Sequence, residues 1–147
     1  MNVRQITIFL EDKPGTLHTA LKTLAEENIH LRAFTAADMG GMTILRLIVD
    51  NIIYTTSMLK SAGYAATFTE VFVAEVSDPE NGLLKVLDLL SDAGINIQHV
   101  YPITSKNKRW IGREIYMVFE VNNNARAMEI LHEEGINLLT QEEIAGL

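Results

Sequence analysis

The feature that most constrains the fold is an internal repeat in the 147-residue chain. A strand-like run ends at Asp12, and a break containing Pro and Gly then leads into a leucine-rich helical pattern. The same plan returns at Asp78, 66 positions later. This order of matches indicates two copies of one unit, residues 1–70 and 71–147. Further matched pairs at this offset, and at an offset of 72 beyond the hairpin, are Leu17 with Leu83, Leu21 with Leu87, and Gly63 with Gly135.

Hydrophobic periodicity gives each copy the order strand, helix, strand, strand, helix, strand. Two such βαββαβ units predict an α+β fold of two ferredoxin-like sandwiches, each a four-stranded antiparallel sheet with helices on one face. No Gly, Pro or polar cluster separates the copies, so we expect them to pack together. The predicted strands are 3–10, 29–38, 42–50, 64–70, 71–76, 95–104, 113–121 and 136–141; the predicted helices are 16–27, 51–62, 81–93 and 122–134; residues 142–147 are expected to trail off.

Apolar residues at spacings of three and four mark the buried face of the first helix in each copy. Pro102 lies in a predicted strand, and because proline cannot donate to a strand ladder, it suggests an edge or a bulge. The predicted apolar faces are Leu17, Ala20, Leu21, Leu24 and Ala25 in the first copy, and Leu83, Leu84, Leu87 and Leu90 in the second.

The composition excludes several classes of function. A net charge of −7 argues against binding nucleic acid or an anionic membrane surface, because both need positive charge. The chain has no cysteine, which excludes disulfides and zinc–thiolate sites. No apolar run approaches the roughly 18–20 residues of a membrane helix, and the N-terminus lacks a signal-peptide pattern. We therefore expect a soluble cytoplasmic protein.

Other chemical patterns favour structural roles. The four histidines have no metal-ligand spacing, and no serine or glycine-rich pattern matches a nucleophile elbow or a phosphate loop. A basic hairpin tip at 105–112 carries one aromatic residue, Trp110, and is interpreted as solvated or as a contact for an acidic partner. We expect no catalysis, no cofactor and no metal, although pairing of carboxylates for acid–base work depends on geometry that the sequence does not contain.

The loop after the first strand has the residue types of a turn that leads into an anion-binding helix N-terminus. Pro14 cannot continue a strand ladder, and Gly15 accepts backbone angles closed to other residues. The helix that follows is therefore expected to begin with free N–H groups, and such an end favours an anionic group such as a carboxylate.

These residues resemble those of the ACT domain, a family that binds small ligands, usually amino acids, and regulates amino-acid metabolism. The resemblance covers nearly the whole chain as two domains. In the first copy it lies in the loop Asp12-Lys13-Pro14-Gly15-Thr16-Leu17 and in Glu27-Asn28-Ile29-His30-Leu31. In the second it lies in Asp78-Pro79-Glu80-Asn81-Gly82-Leu83 and in Ala93-Gly94-Ile95-Asn96-Ile97.

The resemblance implies a ligand site where the two ACT domains meet, built by the loop after the first strand and by an Asn that opens the second strand. His30 takes the place of that Asn in the first copy, and Gly82 comes one position later than the repeat predicts, so the two sites should differ. The implied binding residues are Asp12, Lys13, Pro14, Gly15, Thr16, Leu17 and His30, with Asp78, Asn81, Gly82, Leu83 and Asn96.

The function implied by the resemblance is that of a regulatory amino-acid-binding protein without catalytic activity. With no enzyme domain attached, it would act through a partner enzyme or as a homo-oligomer. The alternative is a ligand-free interaction module that docks onto an enzyme or a transcription factor.

Overall fold

A computed structural model describes residues 2–77, 80–103 and 115–147, and the chain divides into two compact units. The N-terminal unit comprises residues 4–69, and the C-terminal unit contains Val3 and the chain from Glu70 onward. The N-terminal unit has the strand and helix order of the ferredoxin-like fold that the sequence predicts, and the C-terminal unit follows that order as far as its second helix. The strand β4 runs through the boundary between the two units, as expected from the absence of a linker.

The N-terminal unit is built on strands hydrogen-bonded in the order β2-β3-β1-β4. Strand β3 pairs antiparallel with both β1 and β2. Asn51 precedes the second helix, and its side chain caps the helix by accepting a hydrogen bond from the Tyr54 N–H at 3.0 Å. The elements are β1 (Val3–Glu11), α1 (Thr16–Glu26), β2 (Leu31–Met39), β3 (Met42–Val49), α2 (Ile52–Ser61) and β4 (Ala65–Val76).

The two-residue period of β1 and β3 separates the faces of this sheet. The face toward the helices carries the core: Ile6, Ile8, Leu10, Leu45, Leu47 and Val49 pack with Ala20 and Leu24 of α1 and Leu59 of α2. The opposite face, called the second face below, carries Phe9 and Glu11 of β1 and Met42 and Ile44 of β3. In α1, Leu17 and Leu21 pack against the core as predicted, but Ala25 is exposed, so its assignment to the buried stripe was wrong.

A partly buried ion pair joins the edge strand β2 to the residue that follows β3. The Arg32 side chain donates to Asp50, with Nε to Oδ1 at 2.6 Å and Nη2 to Oδ2 at 2.9 Å. The register between β2 and β3 shifts between Leu31 and Ala33, so Arg32 is the bulged residue. The two parallel contacts hold the guanidinium of a nearly buried side chain against a carboxylate, which satisfies both charges.

The C-terminal unit orders its strands β4-β6-β5. Its core forms between the sheet and the helices, where the rings of Phe72 and Phe119 stack with centroids 5.1 Å apart, and Val86, Leu90 and Leu131 pack beside them. Strand β5, which contains Pro102, occupies the end of this order, as the proline predicts. The further elements are α3 (Asn81–Asp92), β5 (Ile97–Pro102), β6 (Ile115–Val121), α4 (Asn124–Glu133) and α5 (Gln141–Ala145).

Two predictions for the end of the chain were wrong. The expected strand at 136–141 is reduced to a single bridge between Leu138 and Ala74, because the chain turns away after only a few backbone hydrogen bonds. Residues 142–147 do not trail off: they belong largely to α5, whose Ile144 is completely buried. A capping box starts this helix, in which the Thr140 hydroxyl accepts from the Glu143 N–H and the Glu143 carboxylate accepts from the Thr140 N–H, both at 3.2 Å.

In α3 the predicted apolar face was also wrong at one position. Leu84 is exposed, and Val86 takes the fully buried place, because the helix turns the row of residues 83, 86, 87 and 90 toward the sheet. Other expectations fall on Asp78, on the basic tip at 105–112 and on the strand ends at 104 and 113–114, and these positions lie outside the described residues.

Candidate functional site

The loop after β1 is closed by backbone groups and one hydroxyl. The Lys13 N–H donates to the Glu11 carbonyl at 2.9 Å, and the Thr16 hydroxyl lies 2.7 Å from the Glu11 carbonyl oxygen and 3.0 Å from that of Lys13. These contacts turn the chain from the end of the strand directly into helix α1. Gly15 completes the turn with φ of 89°, a left-handed conformation that few side chains adopt at low cost.

The N-terminus of α1 has no side-chain cap. Its N-cap residue is Gly15, which has no side chain to accept from the N–H groups of the first turn. That turn, Thr16-Leu17-His18, also carries no acidic side chain. The N–H groups and the positive end of the helix dipole are therefore not neutralised by a carboxylate of the helix itself, an arrangement that favours an incoming anion.

Two opposite charges flank this helix end. The Lys13 Nζ lies 2.8 Å from the Glu11 Oε2, and both side chains are well exposed. The hydrogen bond to Lys13 and the attraction of its charge hold the pKa of Glu11 below its ordinary value. The same contacts raise the pKa of Lys13, so both groups are charged at neutral pH.

An open cavity of about 580 Å³ lies against the loop, within the N-terminal unit. Its volume falls within the ~300–1,000 Å³ of small-molecule sites. One wall is β1 with the loop, a second is formed by Thr16 and Thr19 of α1, and a third is the start of β4, which the sheet order places beside β1. The lining residues are Phe9, Leu10, Glu11, Lys13, Pro14, Gly15, Thr16, Thr19, Gly63, Tyr64 and Ala65.

The structure brings together four of the residues expected in the first loop, since the run from Lys13 to Thr16 lines the cavity. The other three lie elsewhere. Asp12 is exposed and does not contribute to the lining, Leu17 packs against the hydrophobic core, and His30 is exposed ahead of β2 and outside the lining. The carboxylate that faces the cavity is thus that of Glu11, one position before the expected Asp12.

The loop of the C-terminal unit has a different structure. Asn81 is the first residue of α3, and Gly82 lies inside the helix without a positive φ. A Cβ added at Gly82 would stand 3.0 Å from the Val76 Cγ1, so this glycine allows α3 to approach β4 closely. Leu83 packs against the core. Gly82 is therefore a packing residue, whereas Gly15 is a turn residue.

Asn96 belongs to a separate small cavity in the C-terminal unit. Its N–H donates to the Asn122 Oδ1 at 3.0 Å, and its carbonyl accepts from the Asn122 N–H at 3.2 Å. These two bonds tie the segment before β5 to the segment before α4. The open cavity here has a volume of about 480 Å³ and is lined by Leu87, Ser91, Gly94, Ile95, Asn96 and Ile97.

Sequence reasoning did not include several cavity residues, chiefly Phe9, Glu11, Thr19 and Tyr64. Two signals were available. The period of two along β1 places Phe9 and Glu11 on one face, and the strand order of a ferredoxin-like sheet places the start of β4 beside β1. The contact of Glu11 with Lys13 depends on the turn conformation, which the residue types alone do not specify.

The described part of the chain has neither of two further kinds of feature, a metal site or a membrane-spanning helix. Within residues 2–77, 80–103 and 115–147, no three side chains from His, Asp and Glu are grouped so that they could hold a metal ion. Over the same stretches, every helix is too short or too polar to cross a lipid bilayer.

Comparisons with known proteins define the family. A family model described as an ACT domain pair matches residues 1–147. No curated protein sequence matches the chain. Among solved structures, protein BT0572 from Bacteroides thetaiotaomicron is 30% identical, with a TM-score of 0.87 over 100% of this chain and 98% of that one. Regulatory subunits of aspartate kinase from Thermus thermophilus, in a ligand-free form, and from Thermus flavus share the fold. Both are 15% identical and align with 90% of this chain; the first has a TM-score of 0.61 over 93% of its chain, and the second 0.59 over 92%. The chain therefore belongs to the family of ACT domain pairs.

Proposed function

We propose that this ACT domain pair binds a free amino acid in the cavity beside the loop from Glu11 to Thr16, and that binding regulates a partner protein. The observation that carries the proposal is the pairing of an uncapped helix N-terminus with two exposed opposite charges at one cavity. An α-amino acid carries the complementary charges, a carboxylate and an ammonium group, both attached to its α-carbon.

The proposed contacts follow from those charges. The ligand carboxylate accepts from the Lys13 ammonium and lies near the positive end of the α1 dipole, because Lys13 and Thr16, the first residue of α1, both border the cavity. The ligand ammonium donates to the Glu11 carboxylate. Since Lys13 and Glu11 are 2.8 Å apart, a zwitterion inserts between two groups that already neutralise each other, and neither charge is left unpaired.

The regulatory role is supported by the family and by the fold of the aspartate kinase regulatory subunits. We propose that the chain has no catalytic activity of its own and that it acts on a partner enzyme or within a homo-oligomer. The remaining residues that the resemblance implies stay predictions as ligand contacts: Asp12, Leu17 and His30 in the first copy, and Asp78, Asn81, Gly82, Leu83 and Asn96 in the second.

A second candidate is docking onto a partner protein without any ligand. The observation in its favour is Phe34, an exposed aromatic residue on β2, which stands at the end of the strand order in the N-terminal unit. An exposed apolar residue on an edge strand is a common feature of protein contacts. Ligand titration separates the two candidates.

The test is thermal unfolding of the purified full-length protein with each of the twenty amino acids at millimolar concentration. A ligand of the folded state stabilises it by RT ln(1 + [L]/Kd), about 2.7 kcal/mol at a hundredfold excess over Kd. We expect Glu11→Gln and Lys13→Gln to abolish the shift. The matched controls are Glu26→Gln and Lys22→Gln, which alter an exposed ion pair on helix α1. These variants should keep the ligand-induced shift in unfolding.

No shift with any amino acid, in a sample that unfolds cooperatively, would refute amino-acid binding and favour the docking candidate. A shift that persists in Glu11→Gln and Lys13→Gln would show that an amino acid binds elsewhere on the chain.

A further inference from the structure

A group of apolar side chains adjoins the cavity on the second face of the N-terminal sheet. In the antiparallel register Met42 stands opposite Glu11 of β1 and also opposite Met39 of β2. Phe9 stands opposite Ile44. Residues opposite each other in antiparallel strands place their side chains on the same face, with Cβ atoms about 4.5–5.5 Å apart. Phe9, Met39 and Met42 thus form one surface around Glu11, called the Phe9–Met42 platform below.

The platform is exposed although its neighbours on the same face are buried. Phe9 is 37% exposed, Met42 41% and Met39 56%, whereas Ile44 is 7% exposed and Ile48 is fully buried. These three exposed apolar residues thus lie at the end of the strands that meets the ligand loop. Phe9 and Glu11 line the cavity as well, so the platform and the cavity form one continuous surface.

We propose that the Phe9–Met42 platform receives the side chain of the bound amino acid and selects ligands with a large apolar side chain, such as Leu, Met or Phe. This inference rests on the proposed function, because the ligand ammonium must be held at Glu11. From that point Met42 lies directly across the strand pair, and Phe9 lies two residues back along β1, about 6.8 Å away by strand geometry. A methyl or hydroxymethyl side chain is too short to cover this surface.

The charge of Glu11 beside the platform opposes an acidic ligand side chain. An acidic side chain placed here would lie beside the Glu11 carboxylate, whose pKa is already lowered and which is therefore ionised. The next charged residue along this face of β3 is Arg46, and Ile44 separates it from Met42. The two methionines have flexible, polarizable side chains that adapt to both aliphatic and aromatic groups, which is why we infer a class of ligand rather than one member.

Calorimetric titration of the full-length protein tests the inference with Leu, Met, Phe, Ala, Ser, Asp and Lys as ligands. We expect one or more of Leu, Met and Phe to bind at least about tenfold more tightly than Ala and Ser, the smallest effect typical of methylene groups in an apolar pocket. Phe9→Thr and Met42→Thr should weaken binding of the large apolar ligands by about tenfold and leave the weaker binding of Ala unchanged.

The matched control is Phe68→Thr, which removes an exposed phenylalanine from β4, outside the cavity lining. Threonine keeps the strand propensity at each of these sites. Tightest binding of Asp, Lys or Ser would overturn the inference and leave the proposed function intact. An equal loss of Ala and Leu affinity in Met42→Thr would also overturn the inference, because the platform would then not discriminate between ligand side chains.

Two further outcomes concern other occupants. Loss of self-association in Met42→Thr, with unchanged amino-acid titrations, would assign the platform to a second copy of the chain and overturn the inference. If no amino acid binds at all, the proposed function fails and this inference fails with it.

Discussion

Substitution of Gly15 by Ala should lower both stability and ligand affinity, and the structure separates the two effects. Gly15 has φ of 89°, and a Cβ built there meets no atom within 4 Å, so alanine introduces no clash. The cost is backbone strain alone, about 1–2 kcal/mol for a left-handed residue. That is a five- to thirtyfold loss in the ratio of folded to unfolded protein. Gly41, in the β2–β3 hairpin, has the same φ and the same empty surroundings.

Urea unfolding of the wild type, Gly15→Ala and Gly41→Ala measures the strain directly. We expect the two variants to lose about the same free energy of unfolding, because φ and free space are equal at the two sites. Gly15→Asn should lose less than Gly15→Ala, since Asn tolerates this conformation and Asn28 adopts φ of 56° in this chain.

Ligand titration of the same variants separates the effect on the site. Only Gly15→Ala adds a methyl group to the cavity wall, so it should bind the amino acid more weakly than the equally destabilised Gly41→Ala. A neutral effect of Gly15→Ala on unfolding, beside a clear loss in Gly41→Ala, would refute the reasoning, because the loop would then not hold its left-handed turn.

Three further predictions concern the chain's end, a helix cap and pH. Ile144→Ala should cost about 2–5 kcal/mol of unfolding free energy, because Ile144 is fully buried; a neutral result would show that α5 is not docked. Asn51→Ala should cost about 1 kcal/mol in the same assay by removing the cap of α2, and no loss would mean that water replaces the cap. In an NMR titration the pKa of Glu11 should lie below its ordinary value and rise toward it in Lys13→Gln. Because the folded-state pKa of Glu11 is lowered, its stabilising contact is present above the ordinary pKa and is lost as the pH falls through the folded value. Ligand affinity should fall over the same range, and a pH-independent affinity would exclude Glu11 as the ammonium partner.

Much of the fold was predictable because its signals are local. The return of the Asp, Pro, Gly and leucine pattern identified two copies, and the periods of 3.6 and 2 assigned the order of helices and strands in each. The end of the chain shows where this reasoning fell short. Thr140 and Glu143 form a capping box whose spacing is visible in the sequence, so α5 was predictable in principle. The burial of Ile144 was not, since a five-residue helix has too few positions to reveal an apolar face.

The sequence by itself determined the repeat, the element order as far as α4 and the turn at Gly15, because each depends on neighbours within a few positions. Only the tertiary structure decided which side chains meet at the cavity. The expected carboxylate was Asp12, but the turn conformation brings Glu11 to Lys13, and the register of β1 with β3 brings Met42 to Glu11. Likewise, Gly82 shares a motif with Gly15 but serves the packing of a helix on a strand. Contacts between residues thirty positions apart depend on strand register and sheet order, and these are set by the packing of the whole unit.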